Sequence, residues 1–152
     1  MSEMLANHYF LVRNFLSAKT IFENIISKDS TNKLAAKKLI VCYITSGETD
    51  KAINLFLSII KSDIDFIIST DIKADDCPCP DIISGIEKQS SLFNNEIDRA
   101  AALGMLWLYC SLEKSIEFFK QAEVKNPNEI RFREINSILM KRLIPTKPNS
   151  IN

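Results

Sequence analysis

The stretch LIVCYITSGETDKAINLF, residues 39–56, decides the fold. With Ala36 before it, Leu39, Ile40 and Tyr43 follow the i, i+3, i+4, i+7 spacing of one helical face. Ala52, Leu55, Phe56 and Ile59 repeat that spacing on a second helix. Between them, Thr45-Ser46-Gly47-Glu48 is turn chemistry, with Gly47 suited to a helix C-terminus. The same unit occurs upstream. Leu5, Tyr9, Ala18 and Phe22 pair with Leu39, Tyr43, Ala52 and Phe56 at one constant shift of 34 residues (39−5, 43−9, 52−18, 56−22). Ile25, Ile26 and Asp29 recur at that shift as Ile59, Ile60 and Asp63. Each helix pair buries one face internally and needs a neighbouring pair to bury the other.

A third unit stands late in the chain. Leu103-Gly104 with Trp107 matches the first helix, and Ser115, Phe119, Ala122 and Pro127 match the second. Trp107 to Ser115 is eight residues where Tyr43 to Ala52 is nine, so this turn is one residue shorter. Leucine, tyrosine, alanine and an aromatic at these intervals, on a 34-residue period, resemble the tetratricopeptide repeat. The first two units lack the closing proline, having Ser30 and Ile64 there, and Ser115 replaces the usual alanine in the third. The resemblance implies an all-α fold, an α-α superhelix of helical hairpins. The expected units are residues 2–30, 31–63 and 97–127, with a capping helix over 128–143, all in one domain of residues 1–144.

Residues 64–96 break the period and read as an insertion, crowded with Asp, Ser and Pro in its middle. Asp81 to Ser90 is expected as a short helix, with Ile82, Ile83 and Ile86 on its apolar side and Pro80 near its first turn. Phe66-Ile67-Ile68 reads as an extension of the preceding helix or an anchor folding back on the array. Glu129 to Arg142 is expected as an amphipathic helix, with Ile130, Phe132, Ile135, Ile138, Leu139 and Leu143 inward and a wet outer face that caps the array. Residues 145–152 read as a flexible tail.

Composition narrows the function. Lys+Arg 19 against Asp+Glu 19 gives no long-range field for phosphates or anionic lipids, so neither nucleic acid nor membrane is expected as a partner. The N-terminus does not read as a secretory signal, and the apolar stretch from Ala100 to Leu112 falls short of the roughly 20 residues that span a bilayer. Four cysteines without an export signal are expected as reduced thiols in a cytoplasm. Catalysis finds little support: the three glycines are scattered, and His8, the single histidine, has no nucleophile or orienting carboxylate near it in sequence. A non-enzymatic protein without a cofactor is the expectation.

The repeat resemblance implies that stacked first helices line a concave groove for a peptide or a partner's helix. On this chain the groove takes Asn7, Phe10 and Leu11 from the first unit, Leu34, Lys37, Val41, Ile44 and Thr45 from the second, and Met105 and Leu108 from the third. Of the family's carboxylate-clamping residues only Asn7 survives, and Glu3 and Asp98 would repel a C-terminal carboxylate. The remaining face is apolar, larger than a monomer ordinarily leaves in water. A partner's helix, a second copy, or the chain's own insertion would cover it.

Cys77-Pro78-Cys79 is the other candidate. C-x-C supplies at most two of the four thiolates a structural metal site takes, so a labile metal or redox pair is the functional alternative. The structural alternative is a segment held extended by its alternating prolines and chemically quiet. Asp71, Asp75, Asp76 and Asp81 around it lack the spacing of a calcium loop and read as a solvated turn.

Overall fold

The computed structural model describes residues 2–75, 77–89, 93 and 95–144. Among them the chain is all-α: α1 (Glu3–Leu11), α2 (Phe15–Lys28), α3 (Lys33–Thr45), α4 (Thr49–Asp63), α5 (Asp65–Ile68), α6 (Cys79–Lys88), α7 (Glu96–Trp107), α8 (Leu112–Lys125) and α9 (Ile130–Leu143). None of these helices is long and apolar enough to cross a membrane. The tail expected over 145–152 lies outside the described residues, as does Asp76.

Short polar side chains set the helix starts. Ser2, Asn14, Asn32, Asn95 and Ser111 each accept from the backbone N–H three residues on, a cap contributing about 1 kcal/mol apiece.

The 34-residue shift is a backbone equivalence. In the α1–α2 turn, Val12 donates to His8 O, Arg13 to Phe10 O and Asn14 to Tyr9 O. In the α3–α4 turn, Ser46 donates to Cys42 O, Gly47 to Ile44 O and Glu48 to Tyr43 O, the same bonds 34 residues later (46−12, 47−13, 48−14). The third unit absorbs its missing residue at the corresponding point: Ser111 donates to Trp107 O, closing over four residues where Glu48 to Tyr43 closes over five (111−107, 48−43).

The second helices carry the matching core. Ala18, Ala52 and Ser115 are fully buried, as are Phe22, Phe56 and Phe119. Small residues at the first position let the paired helices approach. In the third unit the approach leaves no room for a side chain: a Cβ on Gly104 would lie 2.7 Å from Phe119 Cδ2, and Ser115 Oγ donates to Gly104 O at 2.6 Å. Even the outer faces correspond, since Lys51 Nζ lies 5.8 Å from the Tyr43 ring centroid and Lys114 Nζ 5.9 Å from that of Trp107.

Helices pack in chain order from α1 to α4, then α4 meets α7, α7 meets α8 and α8 meets α9. The turn into α9 repeats the turn into α3, with Asn126 donating to Ala122 O and Glu129 to Asn126 O as Asp29 does to Ile25 O and Asn32 to Asp29 O. α9 also lies against α4. Phe56, Phe119 and Phe132 join the three helices through ring centroids 5.5 and 6.4 Å apart. At the rim, the Arg131 guanidinium bridges Glu129, Asn54 at 2.8 Å and Asp50 at 2.7 Å.

Two residues expected inward on α9 are not. Ile130 is exposed because it shares the outer face of Arg133, Ser137 and Lys141, and Leu143 is exposed at the last turn. Between them Phe132, Ile135 and Leu139 are buried as expected, and Asn136 joins them, its amide donating to Phe119 O and Glu123 Oε1. The inserted helix starts earlier than expected, at Cys79, with Pro80 in its first turn. Ile67 of α5 is fully buried and anchors the insertion's entry.

Candidate functional site

The face of the first helices is largely covered from within. Val41, Ile44, Met105 and Leu108 are all at most 2% exposed, and Phe10 is buried. Val41 lines a cavity with Cys77 and Pro78, and Ile44 lines another with Ile82 and Ile86 of α6. α6 itself packs on α7. Phe10, Val41 and Ile44 therefore face the insertion, while Met105 and Leu108 are buried within the core.

Lys37 is the polar centre of this contact. It is 8% exposed, with its Nζ 3.9 Å from Asp75 and 5.0 Å from the Phe66 ring centroid. Its backbone carbonyl accepts from the buried Tyr109 hydroxyl at 2.5 Å, tying the α7–α8 turn to α3. Burial pushes the Lys37 ammonium below its usual value, opposed by Asp75 and by the thiols of Cys77 and Cys79. The acidic turn is ordered by Asp71, whose carboxylate accepts from the N–H groups of Lys73 and Ala74.

The rest of the expected groove remains partly open. Leu34 is 44% exposed and Leu11 56%, and Thr45 is exposed at the end of α3. Asn7 is half-buried and already engaged, accepting from Lys38 Nζ at 2.9 Å. Phe10, Leu34, Lys37, Lys38 and Val41 face Thr70, Ala74 and Asp75 across a cavity of about 200 Å³. The ten residues expected to form one surface thus divide into a covered floor and the exposed Leu11, Leu34 and Thr45, of which Leu34 forms the open edge of this cavity.

Cys77 and Cys79 do not lie on an extended segment. Pro78, at φ −82° and ψ 1°, is the N-cap of α6, and the bend it makes brings the two sulfurs to 2.7 Å. The helix start overrides the extended preference of the proline-flanked residues. Cys79 is fully buried and Cys77 half-buried, on the wall of the 200 Å³ cavity. Among the described residues, no group of three His, Cys, Asp or Glu side chains is arranged to hold a metal ion. Cys42, fully buried, has its thiol pushed up to about 12 by burial. His8 lies exposed on α1.

Sequence reasoning missed Lys37 as a buried cation and Tyr109 as a tie. The contact joins segments 72 residues apart, and nothing in local periodicity marks it. Comparison of the chain with family models, with curated proteins and with solved structures finds no match in any of the three.

Proposed function

We propose that this chain is a non-enzymatic interaction module of the tetratricopeptide type, a cytoplasmic adaptor whose helix pairs form a short superhelix. It binds a partner protein's helix or peptide, or a second copy of itself, at the open edge of the first-helix face. The observation that carries the reading is the uncovered part of that face: Leu34 stands 44% exposed on the wall of a cavity that Phe10 and Val41 also line. An apolar side chain from a partner would bury its surface there at about 25 cal/mol per Å². The identical turn bonding of the first two units supports the repeat assignment.

Mass in solution, measured over a range of concentrations and paired with identification of co-purifying proteins, tests the reading. Self-association or specific capture that is lost on Leu34→Glu, with the fold retained by circular dichroism, is the expected result. A strictly monomeric chain at high concentration that captures nothing specifically overturns it.

A further inference from the structure

We propose that Cys77 and Cys79 form a redox-active dithiol, with Cys77 as the attacking sulfur, Cys79 as the resolving one, and a low-molecular-weight disulfide of the glutathione class as oxidant. The assignment is independent of partner binding. It rests on three observations. The sulfurs stand 2.7 Å apart, a short closure from the ~2.05 Å of a disulfide, and the Pro78 bend holds them on one side of the chain. Exposure differs across the pair: Cys77 is half-buried on a cavity wall, whereas Cys79 is fully buried at the start of α6. A cation is near at hand, since the cavity that Cys77 lines is also lined by Lys37 and Lys38.

Ionisation follows the same asymmetry. The hydrogen bond from Cys79 holds the Cys77 thiol below its ordinary value, aided by Lys37 and opposed by its own partial burial and by Asp75, while burial pushes Cys79 well up. Cys77 is therefore the thiolate available to attack. In the first step the Cys77 thiolate attacks one sulfur of the small disulfide, whose S–S bond breaks and releases one thiolate. In the second, Cys79 gives up its proton to solvent and attacks the Cys77 sulfur of the mixed disulfide, releasing the second thiolate. Two protein thiols lose two electrons and two protons, and the small disulfide becomes two thiols.

The other cysteines make the test discriminating. Cys42 is sealed in the core, but Cys110 is exposed, and charge on Cys77 adds to partial burial of its sulfur in raising its pKa. The folded full-length protein is equilibrated with graded ratios of oxidised to reduced glutathione, quenched with acid and mapped by peptide mass spectrometry. The expected wild-type product is a Cys77–Cys79 cross-link carrying no glutathione, unchanged by Cys110→Ser. Cys79→Ser is expected to retain one glutathione on Cys77, and Cys77→Ser to retain none on Cys79. A Cys77–Cys110 cross-link, glutathione on Cys79, or modification confined to Cys110 overturns the proposal. Because the wild-type map decides by itself, a Cys79→Ser protein that failed to fold would not protect the idea.

Discussion

Arg13 and Gly47 occupy the same point of two successive turns, 34 residues apart (47−13), with left-handed φ of 66° and 79°. Only the second is a glycine. The turn demands that backbone wherever the period places it, and a side chain there costs about 1–2 kcal/mol relative to glycine.

Gly47→Ala is expected to destabilise by about 1 kcal/mol. An added Cβ would meet nothing within 4 Å, so the whole effect is backbone strain. Arg13→Gly is expected to relieve a comparable strain, less what its side chain contributes, including the hydrogen bond its guanidinium gives to Phe10 O. Urea unfolding of both variants checks the pair. Equal signs for the two would contradict the equivalence of the turns.

Gly104→Ala tests the close approach of α7 and α8. The new Cβ would press on the Phe119 ring at 2.7 Å, and Phe119 is itself fixed between Phe56 and Phe132. A loss of about 2–3 kcal/mol is expected from overpacking. Ser115→Ala, which removes the 2.6 Å bond to the Gly104 carbonyl but adds no atom, is expected to cost about 1 kcal/mol. A Gly104→Ala midpoint equal to wild type would mean the pair sits farther apart.

Tyr109→Phe probes the tie across the array. Its hydroxyl is buried, and its loss leaves the Lys37 carbonyl without that donor. A destabilisation of about 1–2 kcal/mol is expected in chemical denaturation. The thiol of Cys77 should also become more reachable as the α7–α8 turn loosens from α3 at the cavity that Tyr109 and Cys77 both line, read as faster alkylation of Cys77 than in wild type. An unchanged alkylation rate together with unchanged stability would remove this bond from the account.

Glu48 supplies a pH signature. Its carboxylate accepts from Lys19 at 2.5 Å and from Ser46 at 3.1 Å, with Lys51 at 3.2 Å. The Lys19 hydrogen bond leads in holding its pKa at about 2, below the ordinary 4.5. A carboxyl lowered in the folded state stabilises fully above its unfolded pKa, and the contribution is lost as pH falls from about 4.5 towards 2. Glu48 is 29% exposed, so the screened effect is under about 1 kcal/mol. Glu48→Gln is expected to be less stable than wild type at pH 7 and level with it near pH 2. A difference that stays constant across that range would assign the effect to something other than charge.

The paired helices were legible because their determinants are local. Leu39, Tyr43, Ala52 and Phe56 lie within two consecutive helices, so spacing alone reports their shared faces. Gly47 announced its own turn, whereas Arg13 gave no sign of holding the same conformation. The inserted helix was legible from Pro80, Ile82, Ile83 and Ile86, but where it docks was not, because its apolar residues meet α3 and α7 across tens of residues and leave no period. The groove residues were correctly seen as apolar, but apolarity does not distinguish a surface awaiting a partner from one already met by Cys77, Pro78, Ile82 and Ile86. On α9, the carbonyl of Phe119 and the carboxylate of Glu123 make Asn136 an interior residue, which hydropathy cannot foresee.

The ties between α3, α4 and the later helices span 72 and 77 residues, while α1 to α4 join near neighbours along the chain. Closing a long loop is entropically slower than zipping adjacent helices, although the cost grows only logarithmically with its length. α1 to α4 therefore need only local closure, whereas seating α7 to α9 requires the chain to close over the insertion. That segment is more than a spacer, since Thr70, Ala74, Asp75, Cys77 and Pro78 wall the cavity, so cutting it out would dismantle the wall while saving little closure entropy.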